Sequence, residues 1–165
     1  MWRVSLVVFA LLAIVLLPAL GEEELDSSSV EVGAAFGLMW FPDIEPLSTV
    51  GGAMGFSVTP QLSFKASYWN AGISFLGVSL ISINVFDISL VLDTSPAERF
   101  GFYVVGGGGL LLAGLLGEGG SALYASAGLG LRVSPVEMVK IHLEYRALIR
   151  NSILHTIQVG VSGVF

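Results

Sequence analysis

Residues 138–148 read MVKIHLEYRAL, and they alternate from end to end. Val139, Ile141, Leu143, Tyr145 and Ala147 fall on one side of an extended chain. Lys140, His142, Glu144 and Arg146 fall on the other, because strand side chains point to opposite faces with period 2. Such a strand can be buried in two ways. Either the charged face meets water and the apolar face a core, or the apolar face meets lipid and the charges turn inward. The second arrangement demands closure, since backbone groups facing hydrocarbon are satisfied only in helices or closed barrels.

The same period recurs along the chain. VEVGAAFGLMW (30–40) places Val30, Val32, Ala34, Phe36, Leu38 and Trp40 opposite Glu31 and glycines. VGGAMGFSV (50–58) repeats this with Val50, Met54, Phe56 and Val58. LSFKASYW (62–69) sets Leu62, Phe64, Ala66 and Tyr68 against Ser63, Lys65, Ser67 and Trp69. VSLISINVFDISLVL (78–92) has a mixed phase, which predicts a bulge near Val85 or Phe86. FGFYVVGGGGLL (100–111), LYASAGLGLRV (123–133), the strand at 138–148 and a last one over 154–165 bring the number to eight. An even number puts both ends of the sheet on one side. Three connections are short and carry proline (TPQ, DTSPAER, SPVE), where its fixed φ helps and its missing donor harms no ladder. The others (FPDIEPLST, NAGISFLG, LAGLLGEGGS, IRNS) are expected as loops, mostly longer, at the opposite end. Five leucines at 110, 111, 112, 115 and 116 sit where such a loop should be, and read as an extension of the fifth strand.

Composition bears on the choice between water and lipid. The chain is 54% hydrophobic and 12% charged, with 21 glycines among 165 residues. A soluble domain carries about 25% charge and about 7% glycine. Part of the excess is the N-terminus: MWR, then VSLVVFALLAIVLLP, then ALG before EEE, the basic, apolar and small-residue regions of a secretory signal peptide over 1–21. A short acidic, serine-rich leader follows at 22–29. Beyond residue 21 no run of 18 apolar residues would form a spanning helix. A net charge of −6 with no basic patch excludes nucleic acid. The absence of cysteine excludes disulfides, thiolate metal sites and a thiol nucleophile, and nothing calls for a cofactor.

The glycine-rich GFYVVGGGG, YASAGLGLRVSP with its tight turn, IHLEYR and the final Phe165 together resemble the OmpA/OmpX-like family of small eight-stranded outer-membrane β-barrels, over about residues 30–165. The resemblance implies an all-β, antiparallel, up-and-down transmembrane barrel in the outer membrane of a Gram-negative-type envelope. It implies outer-membrane lipid as surroundings, the barrel-assembly machinery as a partner during biogenesis, and a monomer. In such proteins a closing strand with alternating apolar residues and an aromatic end resembles an assembly signal, here Val159, Val161 and Phe165. Trp40, Phe41, Tyr68 and Tyr145 are then expected at the membrane–water boundary, where aromatic girdles sit.

Inside such a barrel, alternation directs Glu31, Lys65, Asp87, Arg132, Lys140, His142, Glu144 and Arg146 to the lumen, since an Arg facing mid-bilayer lipid costs about 2–4 kcal/mol. Nearly balanced signs suit a filled lumen of paired charges, and a structural, membrane-integrity or surface-contact role without catalysis. A narrow path for protons or small solutes is one alternative. A soluble periplasmic lipocalin-like barrel, with the faces exchanged, is another. Catalysis on lipid A ranks last: Ser152 and His155 in RNSILHT are three apart, so one strand would point them to opposite faces, and His142 with Glu144 has no nucleophile beside it.

Overall fold

A computed structural model describes residues 29–41, 44–75, 78–115 and 118–165; residues 1–21, read from the sequence as a signal peptide, residues 22–28 of the expected leader, and Leu116 lie outside them. The described chain forms eight antiparallel strands: β1 Val30–Phe41, β2 Ile44–Ser57, β3 Leu62–Phe75, β4 Val78–Asp93, β5 Phe100–Leu115, β6 Glu118–Val136, β7 Val139–Ile149 and β8 Ile153–Val164. Each pairs with the next in sequence, and β8 returns to β1 from Glu31↔Val164 to Trp40↔His155. The seam is tied at its end by reciprocal backbone bonds between Val30 and Phe165, at 2.8 and 3.0 Å. Every strand is hydrogen-bonded to a neighbour on both sides, so the sheet is closed, which is the condition it must meet to sit in lipid.

The barrel is apolar outside and charged within. Phe36, Ile88 and Leu123 are 67, 70 and 76% exposed, while Arg146, Glu144 and Asp87 are at most 2% exposed. This removes the lipocalin-like alternative, in which the charged face of β7 would meet water. The outward Val, Phe, Leu and Ile side chains form instead the surface that a hydrocarbon phase solvates.

Strand ends differ from the sequence expectation. FPDIEPLST, NAGISFLG and LAGLLGEGGS are mostly strand, so β2 begins at Ile44, β3 runs to Phe75, and β5 and β6 reach Leu115 and Glu118. Pro46 is accommodated because β1 and β2 slip by one residue there: Met39 faces Leu47 but Phe41 faces Ile44, so Glu45 and Pro46 together oppose Trp40. A bulge with an unpaired outer edge is where a strand tolerates a missing donor. The expected bulge near Val85 or Phe86 is absent; pairing of β4 runs unbroken there on both sides. The irregularity lies at Leu80, between Ser79 and Ile81. Ile83, Val85, Asp87 and Ser89 all point inward, buried. The mixed phase of β4 is thus one face that changes chemistry along its length.

That change marks where the core sits. At the end carrying the connections 42–43, 76–77 and 116–117, Met39, Leu47, Trp69, Ala71, Ile83, Val85, Tyr124 and Leu148 pack inside the barrel, with Phe41, Ile81, Leu111 and Leu154 against them. Phe41, expected in the outer aromatic girdle, belongs to this inner cluster because it shares the inward parity of Met39.

Candidate functional site: the barrel interior

Following β7 from its turn at 137–138 orders the lumen by depth: Lys140, His142, Glu144, Arg146, then Leu148. The mouth lies at the end of the termini, and the apolar cluster closes the other end. Near the mouth, Lys140 donates to Glu31 at 2.8 Å, and the Ser162 hydroxyl donates to the other oxygen of Glu31 at 2.6 Å. Arg132 works at the rim rather than in the central network. It donates to Asp93 at 2.7 and 3.3 Å, to the Ser95 and Glu98 carbonyls, and to Ser134, which fastens the 94–99 turn to the wall.

Deeper in, Glu144 gathers three donors. Lys65 reaches it across the lumen at 3.1 Å, the Tyr103 hydroxyl donates at 2.9 Å, and Arg146 Nε donates at 2.9 Å. Arg146 also bonds Asp87 through Nη1, and its guanidinium stands 4.9 Å over the Trp69 ring. Asp87 accepts from Tyr124 at 3.1 Å and Ser126 at 2.8 Å. The layer is therefore two carboxylates joined by one wholly buried arginine, with hydroxyls and a lysine saturating what remains. In a dry interior only such saturation makes buried charge tolerable. The apolar cluster seals it from the far end.

All eight residues assigned to the lumen from sequence point inward. Seven take part in ion pairs: Glu31 with Lys140, Lys65 and Arg146 with Glu144, Arg146 with Asp87, and Arg132 with Asp93. His142 joins none. Its ring lies over Gly160, where a Cβ would collide with the imidazole, and it makes no hydrogen bond among the described residues. Asp93, expected in a turn, and Tyr103, Tyr124, Ser126 and Ser162, which the sequence does not single out, also bond within the lumen. Tyr124 and Ser126 share the parity of Arg132 on β6, which is a signal in the sequence, whereas Tyr103 and Ser162 join the lumen through inter-strand register.

The interior is not filled. A cavity of about 570 Å³ runs from Ser29, Ser57, Pro60, Pro96 and Phe165 at the mouth past Glu31, Lys65, Lys140 and His142, as deep as Trp69, Tyr103 and Gln158. A lumen packed throughout, as the sequence suggests, does not describe the terminal half of the barrel. The physical reason is the inward face of β1 and β2, which carries Gly33, Ala35, Ala53 and Gly55 at this depth.

On the outer face, Tyr68 packs against Phe86 with ring centroids 4.9 Å apart and planes tilted by 44°, and it donates at 2.7 Å to Asn84, which also accepts from Asn70. Tyr145 stacks on His155 and shares a 2.6 Å hydrogen bond with its Nδ1. Trp40 lies beside His155 across the β1–β8 seam. Tyr68 and Tyr145 thus each have an apolar body and a polar partner, the arrangement an interface between lipid and water favours. This occupies His155 on the outside. Val159 and Val161 are exposed beside it, and Phe165 is 76% exposed. Among the described residues no group of three or more His, Asp or Glu could hold a metal ion.

Neither protein-family models nor curated proteins match the chain. Solved structures do. The N-terminal β-barrel domain of Pseudomonas aeruginosa OprF superposes with a TM-score of 0.69 at 16% identity, over 84% of this chain and all of that one. Neisserial surface protein A gives 0.63 at 14% identity, over 82% and 96%. A transmembrane β-barrel designed de novo gives 0.60 at 16%, over 87% and 100%. The fold is that of the small eight-stranded outer-membrane β-barrels. A designed barrel matches about as well as natural ones, so the likeness speaks for architecture.

Proposed function

We propose that the chain is a non-enzymatic, monomeric barrel of the outer membrane, surrounded by lipid and inserted by the barrel-assembly machinery, with a lumen closed to the passage of solutes. Its role is to contribute to membrane integrity and to present its far-end hairpins for surface contacts. One observation carries this reading: the interior is blocked by Arg146 held between Asp87 and Glu144 with an apolar cluster behind it. A conducting pore keeps a wetted path, commonly lined by one dominant sign of charge. Here four cations and four carboxylates are matched, and the layer beyond them is apolar. The short connections leave little chain for an adhesin built on long loops.

The test is conductance. Purified protein refolded into planar bilayers should show no stable porin-sized current steps. Reproducible open steps that vanish on heat denaturation would overturn the closed-lumen reading and establish a channel.

A further inference from the structure

We propose that the cavity at the terminal end of the barrel is a binding site for a small organic anion, a carboxylate or phosphate head on an apolar body, which enters through the mouth beside Ser29 and Phe165. Its volume of about 570 Å³ falls within the roughly 300–1,000 Å³ typical of small-molecule sites. Eight-stranded barrels ordinarily fill that space with side chains. The missing volume is not forced by backbone approach throughout. Gly33 must be glycine, since a Cβ there would meet Ser162 at 2.7 Å, but a Cβ at Gly55 meets nothing nearer than 3.5 Å. A larger residue would fit at Gly55, and the chain leaves the space open.

The polar groups around the space decide the sign of its occupant. Every carboxylate here is engaged at both oxygens: Glu31 by Lys140 and Ser162, Asp93 by Arg132, and Glu144 by Arg146 on one side and by Lys65 with Tyr103 on the other. Donors, by contrast, are in surplus. Lys65 and Lys140 each spend one of three ammonium protons on these bonds. His142 spends none. Gln158, 5% exposed, lines the cavity with its Nε2 unpartnered. A buried donor without an acceptor costs about 1–3 kcal/mol, so an occupant that brings acceptors is favoured over one that brings only donors. Trp69 and Tyr103 at the deep end suit an apolar or aromatic body. This goes beyond the closed-lumen reading and is independent of it, because an anion can lodge in the vestibule whether or not current passes.

The experiment uses the chain from residue 22 with Trp40→Phe, so that Trp69 is its one tryptophan and reports from inside the cavity. The refolded barrel in detergent is titrated with benzoate, phenyl phosphate and benzylammonium. A saturable Trp69 response to either aromatic anion is expected, with benzylammonium about tenfold weaker or silent; the two anions distinguish a carboxylate from a phosphate preference. Gly55→Leu, which fills the space, and Lys140→Gln, which removes donors, should each weaken the anion by about tenfold while heat-modifiable gel mobility stays unchanged. Ala53→Leu replaces Gly55→Leu should that variant fail to fold. No saturable response to either anion up to about 10 mM, an equal response to benzylammonium, or an anion response that survives filling of the cavity would each overturn the proposal.

Discussion

Replacing Arg146 by Met tests the interior where it is most committed. The guanidinium is wholly buried, and its loss leaves two carboxylates behind. They do not suffer equally. Glu144 keeps Lys65 at 3.1 Å and the Tyr103 hydroxyl at 2.9 Å. Asp87 keeps the hydroxyls of Tyr124 and Ser126 but no cation among the described residues. Most of the cost therefore falls on Asp87, a charge 2% exposed with nothing to neutralise it. Removing one partner of a buried ion pair costs about 3–5 kcal/mol. Some of this is the lost stacking on Trp69, about 0.5–2 kcal/mol. Arg146→Met should therefore destabilise the barrel by about 3–5 kcal/mol. Adding Asp87→Asn removes the stranded charge, so the double variant should recover about 1–3 kcal/mol relative to the sum of the singles. Reversible urea unfolding in detergent, followed by Trp69 fluorescence in the chain from residue 22 with Trp40→Phe and by gel mobility, measures all three variants. With a slope of about 1–3 kcal/mol/M, the single variant should lose at least about 1 M in midpoint. A loss under about 0.5 M, or singles that add to the double, would show that Asp87 and Arg146 are not energetically coupled.

Two further expectations concern residues 1–21 and Phe165. If residues 1–21 are a signal peptide, intact mass of protein from the outer-membrane fraction should begin near Glu22; retention of Met1–Gly21 would defeat that reading. Phe165 shares reciprocal backbone bonds with Val30 and exposes its ring, so Phe165→Ser should lower the ratio of heat-modifiable to unfolded barrel in cells. Refolding in vitro should change much less, and equal ratios in cells would mean that the ring is no assembly signal.

The strands were readable because a closed lipid-facing sheet enforces one rule everywhere: apolar out, anything tolerable in. Their ends were not, because the residues that usually signal loops have another use here. Gly72 falls in NAGISFLG, expected as a loop, yet it lies in β3, where a Cβ would meet the Ile81 carbonyl at 2.8 Å. Its glycine serves close packing rather than a turn. Pro46 sits at a bulge for want of a second neighbour. The mixed phase of β4 looked like a slip in register because sequence pattern assumes that one face keeps one chemistry. In this barrel the inward face passes from Asp87 to Val85 in a single step of two residues, from the charged layer into the apolar one.

Alternation tells which face a side chain takes, but not its partner across the lumen. Lys65 and Glu144 meet from 79 residues apart, and Arg132 turns out to hold the rim with Asp93 rather than join the central layer. Balanced charge also says nothing about volume. Eight ionisable residues pointing inward suggested a lumen filled throughout, yet the space is set by residues with almost no side chain: Gly33, Ala35, Ala53 and Gly55 on one wall. Closure and vacancy thus arise on the same inward faces from opposite choices, large saturated groups at the depth of Arg146 and very small ones at the depth of Glu31. A barrel selected only to be a solid plug would gain stability from larger apolar residues at Ala53 and Gly55, about 0.8 kcal/mol for each buried methylene. That this gain is left untaken, next to unspent donors on Lys65, Lys140 and Gln158, is the physical reason to look for an occupant there.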